Sequence, residues 1–167
     1  MCFRNLFRRN PTIPYPEEPF NPDATIDNVD VEWVVFEWSF NYNVPSEYVD
    51  YWDEHLTIVL KPDLPYPAGC WDGGHVRYIE AQPGYLNPGV IAHEQAHNSY
   101  ALLTEGQKAA FNHKYMTLKD TDRLISHLFS INTYGLSNAI EGHAEIYRYL
   151  GSKMPEELYP FYPKLLV

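Results

Sequence analysis

The residues His93-Glu94-Gln95-Ala96-His97 carry the sharpest chemistry in the chain. Two histidines at i and i+4 project from one face of a helix about one turn apart, so both imidazoles can reach a single zinc ion. Glu94 lies beside that face, placed to take a proton from a water that zinc has made acidic near neutral pH. Catalytic zinc takes three protein ligands and leaves a fourth position for water, so another donor is required. Tyr100 and Leu103 stand where a Gly and a third His would extend the motif, which excludes that extension and sends the search further along the chain. Glu141-Gly142-His143-Ala144-Glu145 answers it with two carboxylates at i and i+4. This spacing suits a division of labour in which Glu141 binds the metal and Glu145 hydrogen-bonds the outer nitrogen of a ligand histidine, fixing its tautomer. A surface pair without function is the competing reading. His143 is a competing donor, turned away from the carboxylate face.

These residues need elements to hold them. Asn87 is a good N-cap and Pro88 suits the first helical position, so a helix opens there and runs to about Leu103, carrying both histidines. Thr104 and Gln107 have capping-box spacing and start a second helix, to about Met116. Asp120 caps a third helix to about Ile131, Ser137 a fourth to about Leu150, and Pro155 opens a short last one. Earlier in the chain, Val31 to Phe40 is rich in β-branched and aromatic residues and reads as a strand. A short helix is expected from Pro45 to about His55, then strands at Thr57 to Lys61 and His75 to Ala81. The prolines and glycines of Pro62 to Gly74 mark a long loop between those two strands. Strands first and helices after argue an α+β fold, a small and mostly antiparallel sheet packed on a helical half.

With His93-Glu94-Gln95-Ala96-His97 and Glu141-Gly142-His143-Ala144-Glu145-Ile146-Tyr147-Arg148, the chain resembles the gluzincin metallopeptidases over Ile91 to Tyr149. The resemblance is closest to the anthrax-lethal-factor-like family and the related Pro-Pro endopeptidases. Those enzymes carry a Glu-x-x-Ala-Glu third-ligand helix and a tyrosine seven residues before the ligand glutamate, the spacing at which Tyr134 precedes Glu141. The resemblance implies a zincin-like fold and one zinc ion per chain, on His93, His97 and Glu141. It implies a zinc-dependent endopeptidase in which Glu94 activates the attacking water and Tyr134 helps hold the oxyanion. In the zincins the last strand before the zinc helix forms the cleft edge. A peptide substrate would then add to His75–Ala81 as an antiparallel strand, with Arg77 or Tyr78 lining the groove. The readings from other classes are a zincin-like binding or toxin domain with a structural zinc, and a metal-dependent hydrolase of a non-peptide amide.

Composition bounds the rest. The 167 residues fit one domain, taken as residues 25–167 behind a proline-rich arm of residues 1–24. Hydrophobic residues make up 45 % and charged ones 20 %, enough apolar surface to fold. The net charge is −10, and no basic cluster recurs after the first nine positions, so nucleic acid and anionic membrane are not expected partners. Neither a membrane span nor the apolar core of a secretory signal is visible, and a cytoplasmic location is the default expectation. Cys2 and Cys70 are too few for a disulfide scaffold or a cysteine-based zinc site, though they allow one bridge. His55, His75, His113 and His127 are expected at the surface or in hydrogen bonds. Trp33, Trp38, Trp52 and Trp71 are expected in the core or anchoring loops.

Overall fold

The computed structural model describes residues 30–72 and 76–167. The proline-rich arm, Cys2 and His75 lie outside the described residues. Among the described residues there are six α-helices and a three-stranded sheet: α1 (Val31–Asn41), α2 (Ser46–His55), β1 (Leu56–Leu60), β2 (Ala68–Asp72), β3 (Arg77–Ala81), α3 (Pro88–Ala101), α4 (Glu105–Thr121), α5 (Arg123–Ile131) and α6 (Ala139–Leu150). This is an α+β fold, with the sheet packed on the helix that carries His93 and His97. None of these helices is long and apolar enough to cross a membrane.

The first element corrects the sequence reading, because Val31 to Phe40 is helical. Asp30 Oδ1 accepts the Glu32 and Trp33 amides at 3.0 and 3.3 Å, capping orphan donors that a strand would not present. Val34, Val35, Trp38 and Tyr42 are buried at helical spacing and pack toward α3, so burial of that stripe overrides the β-propensity of the individual residues. A second correction lies in the Pro62–Gly74 stretch, where β2 occupies Ala68–Asp72 and pairs antiparallel with β3, Cys70 opposite Ile79. On its other side β3 pairs in parallel with β1, Leu56 opposite Arg77 and Leu60 opposite Ala81. The strand order is β1-β3-β2. The last strand before α3 is therefore central, and a peptide cannot ladder onto it as expected, because both of its edges are taken. Arg77 and Tyr78 sit on that central strand.

Helix α3 runs through the middle of the molecule. Asn87 Oδ1 accepts the Val90 amide at 2.9 Å and Pro88 fills the first turn. Ile91, Ala92, Ala96, Gln95, Asn98 and Ser99 are all buried, so the helix is enclosed on nearly every side. Some of its buried polar groups find partners: Asn98 Nδ2 donates to Gln95 Oε1 at 2.9 Å and Ser99 Oγ donates to the Pro163 carbonyl at 2.7 Å, while Gln95 Nε2 and Asn98 Oδ1 have none. Helix α4 opens on the expected capping box of Thr104 and Gln107 and continues past Met116 to Thr121. Asp122, not Asp120, then caps α5, its Oδ1 accepting from Leu124 and Ile125 at 2.9 and 3.0 Å. A 3₁₀ turn at Tyr134–Leu136 absorbs the residues before α6, so Asn138 caps it in place of Ser137, accepting from Ile140 and Glu141 at 2.9 Å. A 3₁₀ segment, Glu156–Phe161, follows Pro155, and buried Leu158, Tyr162 and Leu165 close the core over α6. Trp38 and Trp52 are in the core, and Trp52 Nε1 donates to the Lys164 carbonyl at 2.8 Å. Trp33 is half-buried beside Phe36.

Candidate metal centre

The α3–α6 seam brings the two motifs face to face. His93 Nε2 and His97 Nε2 lie 3.0 Å apart, and Glu141 Oε2 lies 3.3 Å from the first and 3.4 Å from the second. His93, His97 and Glu141 thus form a cluster able to hold a metal ion. Zinc ligands at about 2.0 to 2.2 Å and tetrahedral angles stand about 3.3 Å from one another, so the triangle fits one zinc ion. A second observation agrees. Glu141 Oε2 is buried and takes no hydrogen bond, an orphaned oxygen aimed at the same point as two imidazole nitrogens. A cation satisfies all three, and the donor set of two imidazoles and a carboxylate is one that zinc accepts.

Electrostatics follow from the crowding. Burial alone would lower His93, but contact with the Glu141 and Glu145 carboxylates and the charge of Glu94 outweigh it and raise His93 to about 9. His97, buried beside it, is lowered to about 4 by desolvation and then by its neighbour His93. Glu141 is held below its ordinary value, first by its contact with His93, against the cost of burial. Behind His93, Glu145 is fully buried and its Oε1 meets His93 Nδ1 at 2.6 Å. That contact directs the Nε2 lone pair of His93 toward His97 and Glu141.

Glu94 is 6 % exposed and points off the histidine face toward β2. Burial raises its carboxyl, opposed by the charge of His93 and by the neighbouring Cys70 thiol. Burial and the nearby Glu94 carboxylate push the Cys70 thiol up to about 12, so it stays protonated near neutral pH. Cys70 forms no disulfide among the described residues.

Tyr134 reaches the cluster from the 3₁₀ turn before α6. Its ring centroid is 6.1 Å from that of His93, and the residue remains 56 % exposed. The turn is pinned from below. Tyr115 donates its hydroxyl to the Gly135 carbonyl at 2.7 Å, and a Cβ on Gly142 would come within 3.0 Å of that carbonyl oxygen and 2.4 Å of the Tyr115 ring. Gly142 lets α6 approach the turn this closely.

His143 is elsewhere. It is wholly buried, stacked on Tyr162 at 3.9 Å and edge-on to Phe111 and Tyr100, with Nε2 donating to the Phe161 carbonyl at 2.7 Å. His55 stacks on Tyr51 and bonds its carbonyl, and His113 and His127 are exposed on helices.

Three residues near the cluster escaped the sequence reading. Asn132 Nδ2 donates to Glu145 Oε2 and its Oδ1 accepts the Tyr134 amide at 3.0 Å, while Arg148 Nη1 lies 3.4 Å from Glu145 Oε1. The signal for Asn132 was its place two residues before Tyr134, the spacing of an Asx turn. Arg148 lies three residues after Glu145, a spacing that pairs side chains on a helix. For Cys70 no local signal exists, because only the pairing of β2 with β3 carries it to Glu94. Comparison of the chain with protein-family models, with curated proteins and with solved structures returned no match, so the metal centre stands on its own geometry.

Proposed function

We propose that this chain is a zinc-dependent endopeptidase of gluzincin type, similar to the lethal-factor-like and Pro-Pro endopeptidases. The observation that carries the reading is the convergence of His93 Nε2, His97 Nε2 and Glu141 Oε2, with Glu94 buried alongside. His93, His97 and Glu141 hold the metal, and Glu145 orients His93. A zinc ion there acidifies water and polarises a carbonyl. Glu94 accepts the proton of the attacking water and passes it to the leaving amine nitrogen as the C–N bond breaks. Its burial, which raises its affinity for a proton, suits that shuttle. The Tyr134 hydroxyl donates to the carbonyl oxygen as negative charge develops on it. Because Tyr134 is half-exposed and Glu94 is not a ligand, the site holds two groups that a purely structural zinc would not need. β2, an outer strand of the sheet packed beside α3, is the element along which an extended peptide lies.

A peptide-library cleavage assay, with bound zinc measured by elemental analysis, tests the reading. Glu94→Gln should keep about one zinc per chain and lose about 10² to 10⁴ in rate, since Gln can hydrogen-bond water but cannot take its proton. Cleavage by Glu94→Gln at the wild-type rate would rule out the peptidase mechanism. So would a wild-type protein that binds zinc and cleaves nothing.

A further inference from the structure

A chain of contacts runs from the cluster to the turn that carries Tyr134. Glu141 faces His93 at 3.3 Å, His93 Nδ1 meets Glu145 at 2.6 Å, and Glu145 Oε2 accepts from Asn132. Asn132 Oδ1 accepts the Tyr134 amide at 3.0 Å, and the Tyr134 ring stands 6.1 Å from that of His93. Asn132 is the member that belongs to neither motif. Its orientation follows from chemistry: the carboxylate needs a donor and the backbone amide needs an acceptor, and a carboxamide offers one of each. Its backbone is anchored at the end of α5, where its amide donates to the Leu128 carbonyl at 2.9 Å. The link therefore runs from a rigid helix end to both halves of the site.

We propose that Asn132 is a positioning residue that couples metal affinity to the placement of Tyr134, an inference that rests on the functional reading above. Glu145 is fully buried, so losing the Asn132 donor leaves one oxygen short of a partner and loosens its hold on His93. Losing the acceptor frees the Tyr134 amide and lets the turn drift from the cluster. One side chain thereby sets two properties.

The test is a zinc titration of the full chain against a chromogenic chelator, with zinc ion alone as the probe, alongside kcat on a peptide pool. Asn132→Ala should weaken zinc about 10-fold, the low end for an outer partner of a ligand histidine. Combined with Glu145→Ala it should add little to the loss from Glu145→Ala alone, because the path runs through Glu145. Asn132→Asp keeps the acceptor for Tyr134 but replaces the donor with a second carboxylate against Glu145, so it should weaken zinc while keeping the turn. In kcat, Asn132→Ala should cost much in the wild-type background and little in Tyr134→Phe. Wild-type zinc affinity in both Asn132 variants, beside a weakened Glu145→Ala, would overturn the coupling, as would losses that simply multiply. A wild-type chain that takes up no zinc would overturn the metal reading itself, and this inference with it.

Discussion

His93 and His143 lie on the two helices of one seam and have opposite surroundings. His93 is ringed by Glu94, Glu141 and Glu145, which raise its pKa to about 9. His143 is ringed by Phe111, Tyr162 and Tyr100, and burial without an acid lowers it to about 3. The same imidazole is a metal donor where carboxylates converge and a packing element where aromatics do. The difference teaches that the third ligand of the centre follows from which face of α6 meets α3: Glu141 is on that face and His143, two residues on, is on the other.

The largest effect expected from this contrast is on metal content. Glu141→Ala should remove most of the bound zinc, whereas His143→Phe should keep about one zinc per chain by elemental analysis. Equal losses would erase the distinction between the two faces of α6. Next in size is Tyr134→Phe, which removes one donor from the exposed side of the cluster. It should cost about 10² to 10³ in kcat with zinc retained, and an effect confined to KM would contradict the role.

Smallest is a pH effect that separates the two histidines by sign. His143 has a folded pKa below its unfolded value of about 6.5, so its neutral form favours the fold. That contribution is complete above about pH 6.5 and is lost as pH falls toward about 3, at about 1.4 kcal/mol per pH unit. His93 behaves oppositely in the metal-free protein: its contribution is present below about pH 6.5 and is lost as pH rises through about 9. Denaturant unfolding of the metal-free protein between about pH 5 and 6.5 checks it. The acid-side slope should flatten in His143→Phe, and an unchanged slope would place the acid sensitivity elsewhere.

Two helix starts were legible in full. Asn87-Pro88 and the Thr104–Gln107 box start α3 and α4 where the chemistry of orphan amides requires. Cap assignments slipped where several acceptors crowd together, Asp120 against Asp122 and Ser137 against Asn138, because local sequence does not say how far the preceding helix or turn extends. Val31–Asn41 was misread because β-branched and aromatic residues fit a pleated surface or a buried helix stripe equally well, and the partner α3 decided between them. β2 was hidden among prolines and glycines, since Ala68, Gly69 and Asp72 have little strand preference and pair because β3 offers an edge.

By itself the sequence determined the local chemistry: two imidazoles one turn apart on α3, two carboxylates one turn apart on α6, and a tyrosine one short turn upstream. Helical periodicity dictates the two pairs, and the tyrosine was marked by the family resemblance. Tertiary structure decided everything that depends on approach between elements. It set the 3.3 Å and 3.4 Å separations of Glu141 from the histidines, the closeness of the turn to α6 that Gly142 allows, and the place of Asn132 between Glu145 and Tyr134. It also put β3 in the centre of the sheet and brought Cys70 to Glu94. Contacts between residues far apart in the chain are selected by burial and packing of whole faces, and no local pattern encodes them.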